Sequence, residues 1–314
     1  MTQLPSIIFL GTPEFAVPTL NALHLSPFEL KYVITQPDRP KGRGRRMTPP
    51  PVKQRALELG YDVWQLEDIR NEHFIEQIKE SAPGFLVVVA FGQILPQTIL
   101  SIARHGAINV HASLLPKYRG PAPIQWAIMR GEETTGVTTM LMDHGVDTGD
   151  MLLSANTPIK RSDTAASLHD RLSQMGADLL VKTLDGVWRG KIFPRAQKHH
   201  NASYAPMLTK DNGRIQWHRS ARSIDALVRA MTPWPGAYCM LGDKRYKIHK
   251  ATAIEKAHGA ATPGTVVAGF PDELRISTGS GAISILEIQG ASGKSMPVKQ
   301  FLHGNPISPG AVFT

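Results

Sequence analysis

The 314-residue chain carries 35 Lys+Arg against 26 Asp+Glu, a formal charge of +9, with 42% apolar residues and a single cysteine. That length buries a sizeable core and divides most simply into two domains; the lone Cys239 excludes an internal disulfide and a cysteine zinc cluster, and it fits a reducing cytoplasm. No signal peptide is expected, because Ile7 to Leu10 stops at Gly11 with no basic stretch before it, and the longest apolar run, Phe85 to Phe91, falls far short of the roughly 20 residues a membrane helix needs.

The first strand candidate, Ile7 to Leu10, runs into Gly11-Thr12-Pro13-Glu14-Phe15. A dinucleotide fold would carry Gly-x-Gly-x-x-Gly there. Without the second and third glycines a pyrophosphate could not approach the backbone, so a nicotinamide enzyme is disfavoured. Lys31 to Thr35 reads as the second strand, and directly after it Arg39, Lys41, Arg43, Arg45 and Arg46 stand among glycines and prolines, opposed nearby only by Asp38. Such a stretch cannot pack as core. It is expected to be a mobile loop at a cleft mouth, able to close over phosphates.

Helical patterns at Val52 to Gly60 and Asn71 to Glu80 alternate with apolar, β-branched runs at Phe85 to Ala90 and Ala107 to His111. This alternation predicts an α/β domain built on a mostly parallel, Rossmann-like sheet, with the binding crevice beyond the carboxyl ends of its strands. Asn109 and His111, two apart in the last run, leave the same face of a strand while Ile108 and Val110 fill the other. The Gly-rich stretch Met142 to Asp150 supplies Asp147, so an amide, an imidazole and a carboxylate can converge. Asp143, His144, Asp147 and Asp150 are also potential metal ligands, but none of their pairs has a common zinc spacing and no metal is expected.

After Ser162-Asp163-Thr164, residues Leu168, Leu172, Met175, Leu179, Leu180 and Leu184 repeat at helical spacing until Gly186 to Gly190 ends the pattern. Lys191 to Leu208 lacks periodicity and reads as an ordered linker. Beyond it come one helix, Ser220 to Met231, and strands at Tyr246 to Ile254, Gly264 to Ala268, Leu274 to Ser277 and Ala282 to Ile288, with a hairpin turn at Thr278 to Gly281. A small β-barrel is the expected architecture. Trp234, between Pro233 and Pro235, is read as a packing residue rather than a platform for a base. The expected division is therefore a catalytic domain at 1–189, a linker at 190–209 and a barrel domain at 210–314. Those segments hold 19 Lys+Arg against 19 Asp+Glu, 3 against 0, and 13 against 7. A field so uneven suits a polyanion partner.

Asn109-x-His111-x-Ser113-Leu114-Leu115-Pro116, then Tyr118-Arg119-Gly120, then Asp147-Thr148-Gly149-Asp150, resemble the enzymes that move a formyl group from 10-formyltetrahydrofolate. The resemblance runs end to end and lies with the branch of that family whose acceptor is methionyl initiator tRNA. It implies a formyltransferase sheet followed by a barrel of the oligonucleotide-binding type, with Asn109, His111 and Asp147 catalytic and no metal required. It further implies that Ser113, Leu114, Leu115 and Pro116 contribute to the tetrahydrofolate site, that backbone around Val89 to Gly92 and Met142 to Asp147 holds the pterin, and that the turn at Gly11 to Pro13 borders the aminoacyl end of the acceptor. Arg39, Lys41, Arg43, Arg45 and Arg46 would meet the tRNA. The protein is expected to work as a cytoplasmic monomer.

On this reading the acceptor amine attacks the formyl carbon, and Asn109 and a protonated His111 donate hydrogen bonds to the oxyanion that forms. Asp147 keeps His111 protonated and takes the amine's proton; which of the two is the formal base stays open. Two other classes also stay open: a formyltransferase or formyl hydrolase with a small substrate, which would not require the basic loop and tail, and a non-catalytic nucleic-acid-binding protein, which would leave Asn109, His111 and Asp147 without a purpose. The chain departs from the family pattern at His144, where a small residue is usual, and at Met207, where a lysine is common.

Overall fold

The computed structural model describes residues 4–42, 44–255 and 262–314. Packing divides the chain into two compact units: residues 1–120, 135–157 and 169–204 form the first, and 121–134, 158–168 and 205–314 the second.

The first unit opens with β1 (Ile7–Gly11), α1 (Val17–His24) and β2 (Leu30–Thr35), followed by a short hairpin of β3 (Arg39–Lys41) and β4 (Arg46–Thr48). Next come α2 (Pro51–Glu58), β5 (Val63–Gln65), α3 (Glu72–Ser81), β6 (Phe85–Val89), α4 (Gln97–Leu100) and β7 (Ala107–His111). After α5 (Pro123–Met129), which groups with the second unit, the sheet is completed by β8 (Thr134–Leu141) and β9 (Met151–Pro158). The long helix α6 (Ala165–Trp188) joins this unit from His169 onward.

Sheet order is β5-β2-β1-β6-β7-β8-β9. The pairs from β5 to β7 are parallel, and β8 turns antiparallel to β7 with His111 opposite Thr138. Every residue of β1 and β6 is buried, as strands covered on both faces require. Ile8, Leu10, Ile34, Leu86 and Val88 share one apolar cluster with Phe74 and Ile78 of α3. The start of α3 follows from sequence: the Asn71 side chain accepts from Phe74 N at 3.0 Å, satisfying one of the four unpaired N–H groups of the first turn. On the other face of the sheet, α6 comes so close to β7 that a Cβ added at Gly176 would fall 2.7 Å from Val110 Cγ1. That close approach braces the strand carrying Asn109 and His111.

In the second unit, α7 (Ala221–Ala230) is capped by the Ser220 side chain, which accepts from Ser223 N at 3.2 Å, and it packs against α5. The sheet contains β10 (Ala237–Leu241), β11 (Lys244–Ile254), β12 (Leu274–Ser277) and β13 (Ala282–Gln289) in the order β10-β11-β13-β12, with β14 (Met296–Pro297) beside β13. All these pairings are antiparallel, and the sheet forms a half-barrel; α8 (Val298–Gly304) follows it. The stretch Gly264 to Ala268, expected as a strand, is bridged at Thr265 and Val266 and shares main-chain hydrogen bonds with residues 275–277 on one side and 310–313 on the other. No helix among the described residues is long and apolar enough to cross a membrane.

Cys239 lies fully buried in β10, and burial pushes its thiol from the ordinary value of 9.0 up to about 12. Native protein at pH 8 should therefore resist iodoacetamide, while urea-unfolded protein alkylates quickly. Because the unfolded thiol ionises first, its contribution to stability is intact below pH 9 and is lost as pH rises toward 12. Rapid, stoichiometric labelling of the folded protein would contradict this packing.

Candidate active site

Asn109 and His111 leave the same face of β7, with Ile108 and Val110 buried on the other, as the alternation predicts. His111 is 6% exposed and its Nε2 lies 2.9 Å from Tyr118 O. A carbonyl only accepts, so Nε2 must carry the hydrogen whether the ring is neutral or charged. The remaining nitrogen, Nδ1, faces Asp147 Oδ2 at 3.5 Å.

Asp147 arrives on the connection between β8 and β9, in a left-handed backbone conformation with φ of 53°. Such a conformation is uncommon for a residue other than glycine and needs support from its surroundings. Its Oδ2 accepts from Gly120 N at 2.8 Å, while Oδ1 stands 3.5 Å from Asn109 Nδ2. The contacts to Asn109 and His111 are at the outer limit of hydrogen bonding, in contrast to the short anchor from Gly120. The carboxylate is thus fixed beside both groups without consuming Asn109's N–H, which stays able to meet a developing charge. Gly149 is obligatory in this loop: a Cβ there would lie 1.8 Å from Leu141 O.

The Asp143 carboxylate serves its own loop, accepting from Gly145 N at 3.0 Å and Thr148 Oγ1 at 2.6 Å, and His144 is exposed. Among the described residues no three His, Cys, Asp or Glu side chains gather as a metal-binding group. Ser113 and Leu115 are buried. Ser113 Oγ donates to Lys117 O at 2.6 Å, while Thr138 Oγ1 donates to Ser113 O at 2.7 Å and accepts from Leu115 N at 3.2 Å. The turn is self-contained, and the Ser113 hydroxyl proton is already used within it.

At the ends of β1 and β6, Thr12 Oγ1 donates to Phe91 O at 2.9 Å and accepts from Gln36 N at 3.3 Å, tying three strand ends together. Ala90 and Gly92 hold positive φ on either side of Phe91, Ile94 on the following loop is 81% exposed, and Val146 next to Asp147 is also exposed. Exposed apolar side chains on site loops suit a flat heterocycle.

The basic segment, expected as a loop, carries the short hairpin of β3 and β4. Its base is tied down by Asp38, which takes Lys53 Nζ on both oxygens at 2.9 and 3.0 Å and Gln65 Nε2 at 2.8 Å. Lys53, and then Gln65, hold the Asp38 carboxyl below its ordinary value. The one nearby acid is therefore matched by Lys53 and not by the hairpin. Arg39, Lys41, Arg45 and Arg46 are exposed, and none makes an ion pair among the described residues; Arg43 lies outside those residues. In the second unit Trp234 is 55% exposed, so it does not pack as expected; Met207 is exposed as well.

Sequence reasoning missed three contributors. Tyr118 O and Gly120 N act through the main chain and leave no signature beyond the Tyr-Arg-Gly motif itself. The third, Gln197, lies in the stretch read as a linker, and only its burial reveals it. A cavity of about 790 Å³ lined by Ser6, Gly84, Arg104, His105 and Trp188 sits at the opposite ends of β1, β6 and β7, away from these groups.

A family model described as formyl transferase matches residues 6–184, and one described as formyl transferase, C-terminal domain, matches residues 207–306. The methionyl-tRNA formyltransferase of Citrifermentans bemidjiense is 48% identical over 306 residues, which cover 98% of this chain and 95% of that one. The protein of the same name from Caldanaerobacter subterraneus subsp. tengcongensis is 46% identical over 307 residues, covering 98% and 99%. Among solved structures, WlaRD, a sugar 3N-formyl transferase in the presence of dTDP and 5-N-formyl-THF, matches with a TM-score of 0.67 at 20% identity over 94% of this chain and all of that one. HypX from Aquifex aeolicus in complex with tetrahydrofolic acid matches with a TM-score of 0.60 at 18% identity, over 99% of this chain and 50% of that one. At such identities the two structures speak to the fold alone.

Proposed function

The chain belongs to the methionyl-tRNA formyltransferase family, and from that premise we propose that Asn109, His111 and Asp147 are the residues with which it transfers a formyl group. Its reaction carries the formyl group of 10-formyltetrahydrofolate to the α-amino group of methionyl initiator tRNA, giving the N-formylmethionyl-tRNA of translation initiation. The observation that carries the assignment is the Asp147 carboxylate lying 3.5 Å from both the Asn109 amide nitrogen and His111 Nδ1.

The attacking amine must be neutral. An unperturbed α-amino group has a pKa of about 7.7 to 8.0 and esterification lowers it, so removing one proton is a modest task. As nitrogen bonds to the formyl carbon, the carbonyl electron pair moves onto oxygen, where Asn109 Nδ2 donates a hydrogen bond. His111 holds Tyr118 O through Nε2, which leaves Nδ1 for the reaction. That nitrogen and the Asp147 carboxylate take the amine's proton between them and return it to the folate nitrogen as the carbon–nitrogen bond to the donor breaks. Tyr118 O and Gly120 N set the orientation of both groups.

The folate donor would lie against Leu114, Leu115 and Pro116, with Ser113 shaping the turn and backbone groups of Val89 to Gly92 and Met142 to Asp147 meeting the pterin. Exposed Ile94 and Val146 and the left-handed backbone at Ala90 and Gly92 support that placement. Arg39, Lys41, Arg43, Arg45 and Arg46 would meet the acceptor phosphates, and residues 210–314, with 13 Lys+Arg against 7 Asp+Glu, would bind the body of the tRNA. The protein would act as a cytoplasmic monomer.

The test is to offer 10-formyltetrahydrofolate with charged initiator tRNA, with glycinamide ribonucleotide or with an amino sugar nucleotide. Rapid formylation of the tRNA alone is expected; preference for a small amine would overturn the reading. Changing Arg39, Arg45 and Arg46 together to alanine should raise KM for charged tRNA at least about tenfold and flatten its dependence on salt, since each lost phosphate contact removes somewhat under one unit of slope. Folate affinity should stay within about twofold. Equal losses for both ligands would mean that the hairpin supports the fold instead. A chain cut near Thr209 is a poorer probe, because it strips α7 from α5.

A further inference from the structure

Gln197 stands in a segment without periodicity, yet it is only 4% exposed. Its Nε2 donates to two main-chain carbonyls of the catalytic loop, Asp147 O at 2.9 Å and Gly149 O at 2.7 Å. Its Oε1 accepts from Arg119 Nε at 3.1 Å and Nη2 at 2.7 Å. Both amide hydrogens and the amide oxygen are therefore engaged. A glutamine so fully committed has one orientation.

Arg119 is 2% exposed, and a guanidinium that buried is tolerated only when its donors are met. Besides Gln197, its Nη2 lies 3.2 Å from His199 Nδ1, and its main-chain N donates to Ser203 O at 2.8 Å. It is flanked in sequence by the two groups that orient the site: Tyr118, whose carbonyl takes His111 Nε2, and Gly120, whose N–H takes Asp147 Oδ2. Gln197 thus joins the main chain beneath Asp147 to the one side chain between those two anchors.

We propose that Gln197, held by Arg119, is a positioning residue for the catalytic step: it fixes the left-handed turn at Asp147 and so sets the carboxylate against Asn109 and His111. This rests on the catalytic assignment above. The stretch 190–204 then supplies part of the active-site scaffold, beyond any role as a connection. The chemistry requires a donor. The carbonyls of Asp147 and Gly149 can only accept, and a side chain of the same size without N–H groups leaves both unpaired and releases the turn.

Gln197→Glu in the full-length protein makes the test, since glutamate keeps the size and the contact to Arg119 but has no hydrogens for the two carbonyls. Expected is a fall in kcat on charged initiator tRNA of about 10- to 100-fold, as small misplacements of reacting groups typically give, with KM for tRNA and folate affinity within about threefold. Added to Asp147→Asn, the same change should cost less than about twofold more, because the carboxylate it positions is already gone. Wild-type kcat in Gln197→Glu, or losses that multiply in the double variant, would overturn the proposal. Near-normal turnover in Asp147→Asn alone would instead overturn the catalytic assignment, which separates the two failures. Should Gln197→Glu not accumulate as folded protein, Arg119→Lys decides: lysine can meet Gln197 Oε1 but not through two nitrogens, so a partial kcat loss at unchanged KM supports the role, and unchanged kcat removes it.

Discussion

Asn109→Ala is expected to lower turnover on charged initiator tRNA by on the order of 100- to 1000-fold while leaving folate affinity within about threefold. The magnitude follows from where the amide's hydrogen bond is made. Among the described residues Asn109 Nδ2 has one protein acceptor, Asp147 Oδ1 at 3.5 Å, so little bonding within the protein is given up when it turns to the oxyanion. A donor engaged more strongly by the oxyanion than by the ground state acts on kcat and not on binding. The fold should tolerate the change, because Asn109 is half-buried at the cleft and its neighbours Ile108 and Val110 keep the strand's apolar face. Weaker folate binding with near-normal turnover, measured by steady-state kinetics and folate titration, would remove Asn109 from the chemistry.

Asp147→Asn should be at least as severe, on the order of 1000-fold in kcat. The substitution keeps shape, and the new amide oxygen can still accept from Gly120 N. It loses the negative charge facing His111 Nδ1 and cannot take a proton. With its oxygen kept toward Gly120 N and His111 Nδ1, its NH2 presents donors where Asn109 Nδ2 already donates; turned over, the NH2 instead opposes Gly120 N and a protonated Nδ1. Combined with His111→Ala, the losses should fall well short of multiplying, since both residues handle the same proton. A double variant at the product of the single effects would show that His111 and Asp147 act independently.

The parts of the fold that sequence discloses are those whose physics is local. β1, β2, β6 and β7 appear as β-branched apolar runs, α3 and α7 begin at Asn71 and Ser220 because those side chains cap the helices, and Asn109 and His111 share a face because strands alternate. The burial of β8 is hidden for a physical reason. Its sequence, Thr-Thr-Gly-Val-Thr-Thr-Met-Leu, reads as polar, but Thr135, Thr138 and Thr139 are buried, and Thr138 and Thr139 are satisfied by Ser113 O and Thr183 Oγ1 from distant parts of the chain. The base of the basic hairpin is likewise held by residues outside the charged stretch, Lys53 and Gln65, which donate to Asp38.

The same distinction holds at the site. Residue types and spacing nominate Asn109, His111 and Asp147, but the commitment of His111 Nε2 to Tyr118 O, which leaves Nδ1 for the proton, depends on a turn that only the folded chain reveals. Gln197 stands 50 residues from Asp147, and no periodic pattern connects them. Trp234 shows the limit from the other side: its flanking prolines suggest packing, yet the side chain is half exposed.

The most direct measurement is single-turnover transfer from radiolabelled 10-formyltetrahydrofolate to methionyl initiator tRNA, with excess protein and with folate and tRNA binding titrated in parallel, for wild type, Asn109→Ala and Asp147→Asn. If the Asn109–His111–Asp147 arrangement performs the chemistry, both variants bind both substrates almost normally and transfer the label at least about 100-fold more slowly at saturation. Saturating transfer rates equal to wild type in either variant, with the deficit confined to binding, would contradict it.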